Sequence, residues 1–108
     1  SDLLLHGEAV SIGMVMALTL STKLGHCKSK TQVAARDHLR NVGLPVSIAD
    51  RPAVNWDTEA LINHMAKDKK VTNGVMTFVL ARGIGQAFLS RDVEREDLIE
   101  VLNSGGEL

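Results

Sequence analysis

Apolar residues crowd the stretch from Ala9 to Leu20, which is interrupted by Ser11, Gly13 and Thr19. The spacing predicts a helix over Glu8–Leu24. Val10, Met14, Ala17 and Leu18 form one stripe, while Ile12, Val15, Met16 and Leu20 occupy the other faces. A helix apolar nearly all round must be covered on several sides. Gly25 suits the position just past its end. A second helix is predicted over Lys30–Val42, with Ala35, Leu39 and Val42 on one face, Gly43 behind it and Pro45 barring continuation. Pro45–Asn55 reads as a loop. Asp57 is a good cap for a third helix, with Glu59 in its first turn and Trp56 and Leu61 spaced as a hydrophobic staple; it runs out near Asp68-Lys69-Lys70.

Asn73-Gly74 is a turn signal, and Val75–Ala81 then alternates, with Met76, Phe78 and Leu80 on one face, as a strand does. Gly83 and Gly85 break the strand, and Gln86–Ser90 can pair back on it. Asp92 is placed to cap a last helix that turns Val93, Leu98 and Val101 or Leu102 inward. Ser104-Gly105-Gly106 reads as a frayed tail. The fold class expected is mainly α (α+β): a helical bundle with one small β-hairpin.

Composition narrows the function. The chain of 108 residues is one domain's worth. Twelve basic and 13 acidic residues give a net charge of −1, which argues against nucleic acid as a partner. The start, Ser1-Asp2-Leu3-Leu4-Leu5, lacks the basic region of a signal peptide, and the longest apolar run falls short of the ~20 residues of a membrane span. A single cysteine, Cys27, forms no internal disulfide and suits a reducing, cytoplasmic setting. One oddity remains: the most apolar helix begins almost at the first residue. Either it is the buried centre of a small bundle, or part of its cover lies upstream.

Two segments could carry chemistry. His6-Gly7-Glu8 reads as lying just before the first helix, where the positive end of the dipole keeps an imidazole neutral and fit for a metal. Glu8 would then sit in the first turn and could orient the ligand. Without a second His three or four residues on, spacing alone leaves His6 open to being a cap or a packed side chain. Lys67, Lys69 and Lys70 place three ammonium groups around Asp68 at a helix end, either as a solvated run favoured by the dipole or as a phosphate or carboxylate site. His26-Cys27 reads as a loop pair, His38 as exposed, and His64 as a partner of Asp68 four residues on. Arg82-Gly83-Ile84-Gly85 lacks the strand–loop–helix setting of a phosphate loop and reads as a hairpin turn.

Taken in order, Leu4-Leu5-His6-Gly7-Glu8-Ala9-Val10-Ser11-Ile12-Gly13-Met14, Val42-Gly43-Leu44-Pro45-Val46, Met65-Ala66-Lys67-Asp68-Lys69-Lys70-Val71 and Phe78-Val79-Leu80-Ala81-Arg82-Gly83-Ile84-Gly85 resemble the C-terminal part of the 3-dehydroquinate synthases. The likeness covers nearly the whole chain; Ala81 departs from the proline many members carry. It implies a two-domain cytoplasmic enzyme of the shikimate pathway, in which an N-terminal domain holds NAD and a mostly helical C-terminal domain holds a divalent metal, zinc or cobalt, and most substrate contacts. Such enzymes convert 3-deoxy-D-arabino-heptulosonate 7-phosphate to 3-dehydroquinate and phosphate, with the metal polarising the hydroxyl that NAD oxidises. By position, His6 matches a metal ligand, and Lys69 and Lys70 match a region that contacts the phosphate end of the substrate, Lys69 being favoured.

On this resemblance residues 1–108 are a partial C-terminal metal- and substrate-binding domain without the N-terminal NAD-binding domain. The family's other metal ligands, a glutamate and a second histidine, lie upstream of His6. The piece alone is therefore expected to be inactive and to bind zinc weakly or not at all, and the full-length protein to be a homodimer. Two alternatives compete: another sugar-phosphate cyclase, of the 2-deoxy-scyllo-inosose or valiolone synthase type, and a non-catalytic helical interaction module.

Overall fold

The computed structural model describes residues 2–56, 61–62 and 77–104, with side chains from residue 6 onward. Its longest element is α1, Asp2–Lys23. This helix starts six residues earlier than the periodicity predicts. The reason is local: Leu3, Leu4 and Leu5 are strong helix formers, Asp2 suits the helix start, and Gly7 alone is too small a penalty, ~1 kcal/mol, to stop propagation. Both α1 and α2 (Ser29–Asn41) close as the sequence predicts. Gly25 and Gly43 take φ of +85° and +92°. Behind them the His26 N–H reaches Ser21 O at 2.8 Å and the Leu44 N–H reaches Leu39 O at 3.0 Å, the bonding of a Schellman end.

The stretch read as a loop holds a short 3-10 turn, Ile48–Asp50, where Asp50 Oδ2 accepts the Val46 N–H at 2.9 Å. The hairpin consists of β1 (Phe78–Ala81) and β2 (Ala87–Ser90), antiparallel, with Phe78 opposite Ser90 and Leu80 opposite Phe88. Arg82-Gly83-Ile84-Gly85 forms its turn, with the Arg82 N–H donating to Gln86 O at 2.9 Å. The last helix, α3 (Arg95–Asn103), is capped by Glu94 and not by Asp92. Asp97 accepts the Glu94 N–H at 3.4 Å, so a carboxylate inside the first turn closes the cap, while the Asp92 N–H is held by Ser90 Oγ. The helix predicted from Asp57 lies outside the described residues except for Leu61 and Ile62, which are helical.

The core forms against one side of α1. Ile12, Met16 and Leu20 pack with Leu61, Phe78, Leu80, Leu98 and Val101, all nearly or fully buried. The alternation read in the strand is borne out at Phe78 and Leu80, which face in, while Val79 is exposed. Three polar residues of this helix, Ser11, Thr19 and Ser21, are buried as well, and each anchors something. Ser11 Oγ donates to Pro45 O (2.8 Å), Thr19 Oγ1 accepts Gln32 Nε2 of α2 (3.0 Å), and Ser21 Oγ accepts the Ala81 N–H of β1 (3.0 Å). The mainly α architecture with one hairpin is as expected from the sequence. Among the described residues no helix is long and apolar enough to cross a membrane.

Candidate functional site

His6 and Glu8 are the fifth and seventh residues of α1 and so lie inside the helix, not ahead of it. The dipole argument for a neutral His6 therefore loses its footing, because that field falls off within the first turn. His6 is exposed. Beside it, Gly7 has open space where a side chain would stand, with nothing within 4 Å. A helical glycine costs ~1 kcal/mol relative to alanine. No contact among the described residues requires it.

The sequence suggests that Glu8 orients His6. Residues two apart on a helix do not face each other, and the structure commits Glu8 elsewhere: its Oε1 lies 3.2 Å from Arg51 Nε. Arg51 also donates to Asp50 O (3.1 Å) and to Gly43 O (3.3 Å). One guanidinium thus joins the front of α1, the end of α2 and the 3-10 turn. Sequence reading misses Arg51, which lies 43 residues from Glu8 in a segment read only as loop. No local pattern exposes the pair.

The other candidates separate. Lys69 and Lys70, with Lys67, Asp68 and His64, lie outside the described residues. His26 does not join Cys27 in a metal pair: its ring meets Phe88 edge-on at 4.9 Å, with the Arg82 guanidinium 4.1 Å from the centroid of the Phe88 ring. Cys27 is buried, with its thiol 3.6 Å from Lys28 O. His38 is exposed on α2, as expected. At the far end of α1, Lys23 hydrogen-bonds Glu100 at 2.7 Å; that bond, aided by the charges of Glu100 and Asp97, raises its ammonium above the ordinary value of 10.5. Among the described residues no three His, Cys, Asp or Glu side chains come together to hold a metal ion.

Comparison with known proteins gives this geometry its context. A family model described as 3-dehydroquinate synthase C-terminal matches residues 1–71. The chain is 45% identical over 102 residues to a 3-dehydroquinate synthase of Ruegeria pomeroyi, covering 94% of this chain and 28% of the relative. A synthase of Cereibacter sphaeroides is 50% identical over 93 residues (86% and 25%), and one of Caulobacter vibrioides 45% over 97 residues (90% and 26%). The chain spans about a quarter of the length of these curated relatives. With the matched stretch running from ahead of His6 through α1, α2 and the lysine-rich segment, the chain belongs to the 3-dehydroquinate synthase C-terminal family.

Proposed function

We propose that this chain is the part of a 3-dehydroquinate synthase that carries one metal-ligating histidine, His6, and the phosphate-end lysines Lys69 and Lys70. The intact enzyme, with NAD and a divalent metal, would convert 3-deoxy-D-arabino-heptulosonate 7-phosphate to 3-dehydroquinate and phosphate in the cytoplasm, as a homodimer. The observation that carries this reading is the family match over residues 1–71, which spans all three residues. The geometry is in keeping with it: His6 is exposed, on a helix where Glu8 pairs with Arg51. Lysine ammonium groups suit the phosphate end as point charges.

His6 is a single donor, and a tetrahedral site takes three or four protein ligands. The described residues of this chain do not complete that set, so in this reading the remaining ligands come from elsewhere in the synthase. Isothermal titration of the chain alone with zinc should then give no tight stoichiometric site. A chimera in which these 108 residues replace the aligned stretch of the Ruegeria pomeroyi synthase tests the rest. His6→Ala should abolish its turnover and its metal content together, while His38→Ala leaves both intact. A His6→Ala chimera that keeps its metal and its rate removes His6 from the site.

A further inference from the structure

The Val42–Val46 segment carries part of the resemblance but none of the residues assigned to the proposed chemistry. The structure gives it a task. Gly43, at φ +92°, turns the chain out of α2, and Pro45 and Val46 are then buried. Pro45 O accepts the Ser11 hydroxyl of α1 at 2.8 Å, and Ser11 itself is only 1% exposed. Further along, Arg51 meets Glu8 at 3.2 Å. Between these two contacts Asp50 Oδ2 braces the strap by accepting the Val46 N–H at 2.9 Å.

Glu8 and Ser11 are three residues apart and so share a face of the helix. His6 lies two residues before Glu8 and five before Ser11, which places it about 140–200° around the axis from both. Residues 43–51 therefore grip the front of α1 from behind, on the side away from the imidazole. A backstop belongs there, because it holds the helix without crowding a donor nitrogen. The Ser11 bond is the firmer of the two contacts. A buried carbonyl needs a donor, whereas the Glu8–Arg51 pair is partly exposed and screened.

We infer that Ser11 is a positioning residue for the metal-binding side chain: by holding Pro45 O it sets where the front turns of α1, and His6 on them, stand. This role rests on the reading of His6 as a metal ligand, to which an exposed imidazole is suited as one donor of a set. Metal ligands must be held within ~0.5 Å of their places. A small shift of the front turns would thus loosen the metal without unfolding the domain.

The zinc affinity of the chimera, measured by chelator competition well below each variant's unfolding midpoint, tests it. Ser11→Ala should weaken zinc binding about tenfold, the lower end of what losing a ligand's supporting partner costs. Alanine is the better helix former, so fraying of α1 does not account for such a loss. Ser21→Ala is the control: it also takes a buried hydroxyl from α1, but far behind His6, and its zinc affinity should stay within about twofold. In the chain alone, amide exchange over Glu8–Val10 should speed up in Ser11→Ala and not in Ser21→Ala. Should the Ser11→Ala chimera not fold, Asp50→Ala loosens the same strap at an exposed residue, with a smaller loss of zinc affinity expected. Unchanged affinity in whichever of these two variants folds overturns the proposal. So do equal losses in Ser11→Ala and Ser21→Ala, or unchanged exchange over Glu8–Val10 in the chain. His6→Ala is read separately: full zinc affinity there sinks the proposed metal site, whereas its loss there with full affinity in Ser11→Ala sinks only the role of Ser11.

Discussion

The two ends of α1 are built for different work. From Ser11 to Ser21 the helix is anchored along one side: Ile12, Met16 and Leu20 reach the core, and Ser11, Thr19 and Ser21 each hold a bond to another element. Around His6 and Glu8 the same helix is exposed or half-buried, and Glu8 pairs there with the Arg51 guanidinium. The difference separates the half of the helix that anchors the fold from the half in which the proposed reading places a metal ligand. A ligand-bearing segment must reach into a site and remain accessible, so its position is inherited from the rigid half of the helix behind it.

The largest test of that division is Leu20→Ala. Leu20 is fully buried in the core cluster. Truncating such a leucine costs about 2–5 kcal/mol, the spread reflecting how far the cavity collapses. Urea denaturation of the chain should show a loss of that size, a large share of the ~5–15 kcal/mol that holds a domain together. A loss below ~1 kcal/mol would mean that the rear half of α1 is not the anchor.

Ser21→Ala sharpens the comparison at the next level. Ser21 Oγ donates to Ala17 O at 2.7 Å and accepts the Ala81 N–H at 3.0 Å. Alanine restores the helix but leaves the strand amide without its partner, at about 1–3 kcal/mol, offset by a few tenths for better helix propensity. A net loss of about 1–2 kcal/mol is expected in the same denaturation experiment. Amide exchange at Ala81 should speed up while exchange within α2 does not. Unchanged exchange at Ala81 would show that β1 is held without this serine.

These serines mark the boundary of what the sequence discloses. The helix ends at Gly25 and Gly43 and the hairpin turn at Arg82–Gly85 are written in residues a few positions apart, and all three are where the pattern places them. Ser11, Thr19 and Ser21 read only as interruptions of an apolar run, because their partners lie 34, 13 and 60 residues away. The start of α1 is misplaced by the pattern for the opposite reason: no cap or breaker between Asp2 and Glu8 records where the helix begins, so the periodicity sets His6 ahead of the helix instead of inside it. The cap of α3 falls to Glu94 over Asp92 because Asp97 supplies the reciprocal bond, a choice between two nearby acids that spacing leaves open. At the candidate site the histidine is legible from the resemblance, whereas Arg51, which ties down its helix, is not.

The smallest effect belongs to the Glu8–Arg51 pair, and it bears most directly on the contrast between the two ends. Glu8 is mostly shielded and Arg51 about one-third exposed, with side chains 15% and 36% accessible. Pairs of this kind contribute about 0.2–1 kcal/mol, because long side chains lose freedom and solvent screens their attraction. Arg51→Gln should cost more than Glu8→Gln, since it also deprives Asp50 O and Gly43 O of their donors. A double-mutant cycle removes that excess and isolates the coupling, which should stay below ~1 kcal/mol and shrink as salt is raised to ~1 M, where the screening length is ~3 Å. In the chimera Glu8→Gln should lower metal retention by less than His6→Ala does while leaving the unfolding midpoint nearly unchanged. A coupling above ~2 kcal/mol would instead make the front of α1 as firmly built as its rear, and the position of His6 would then be set locally by Arg51 and not by the core half of the helix.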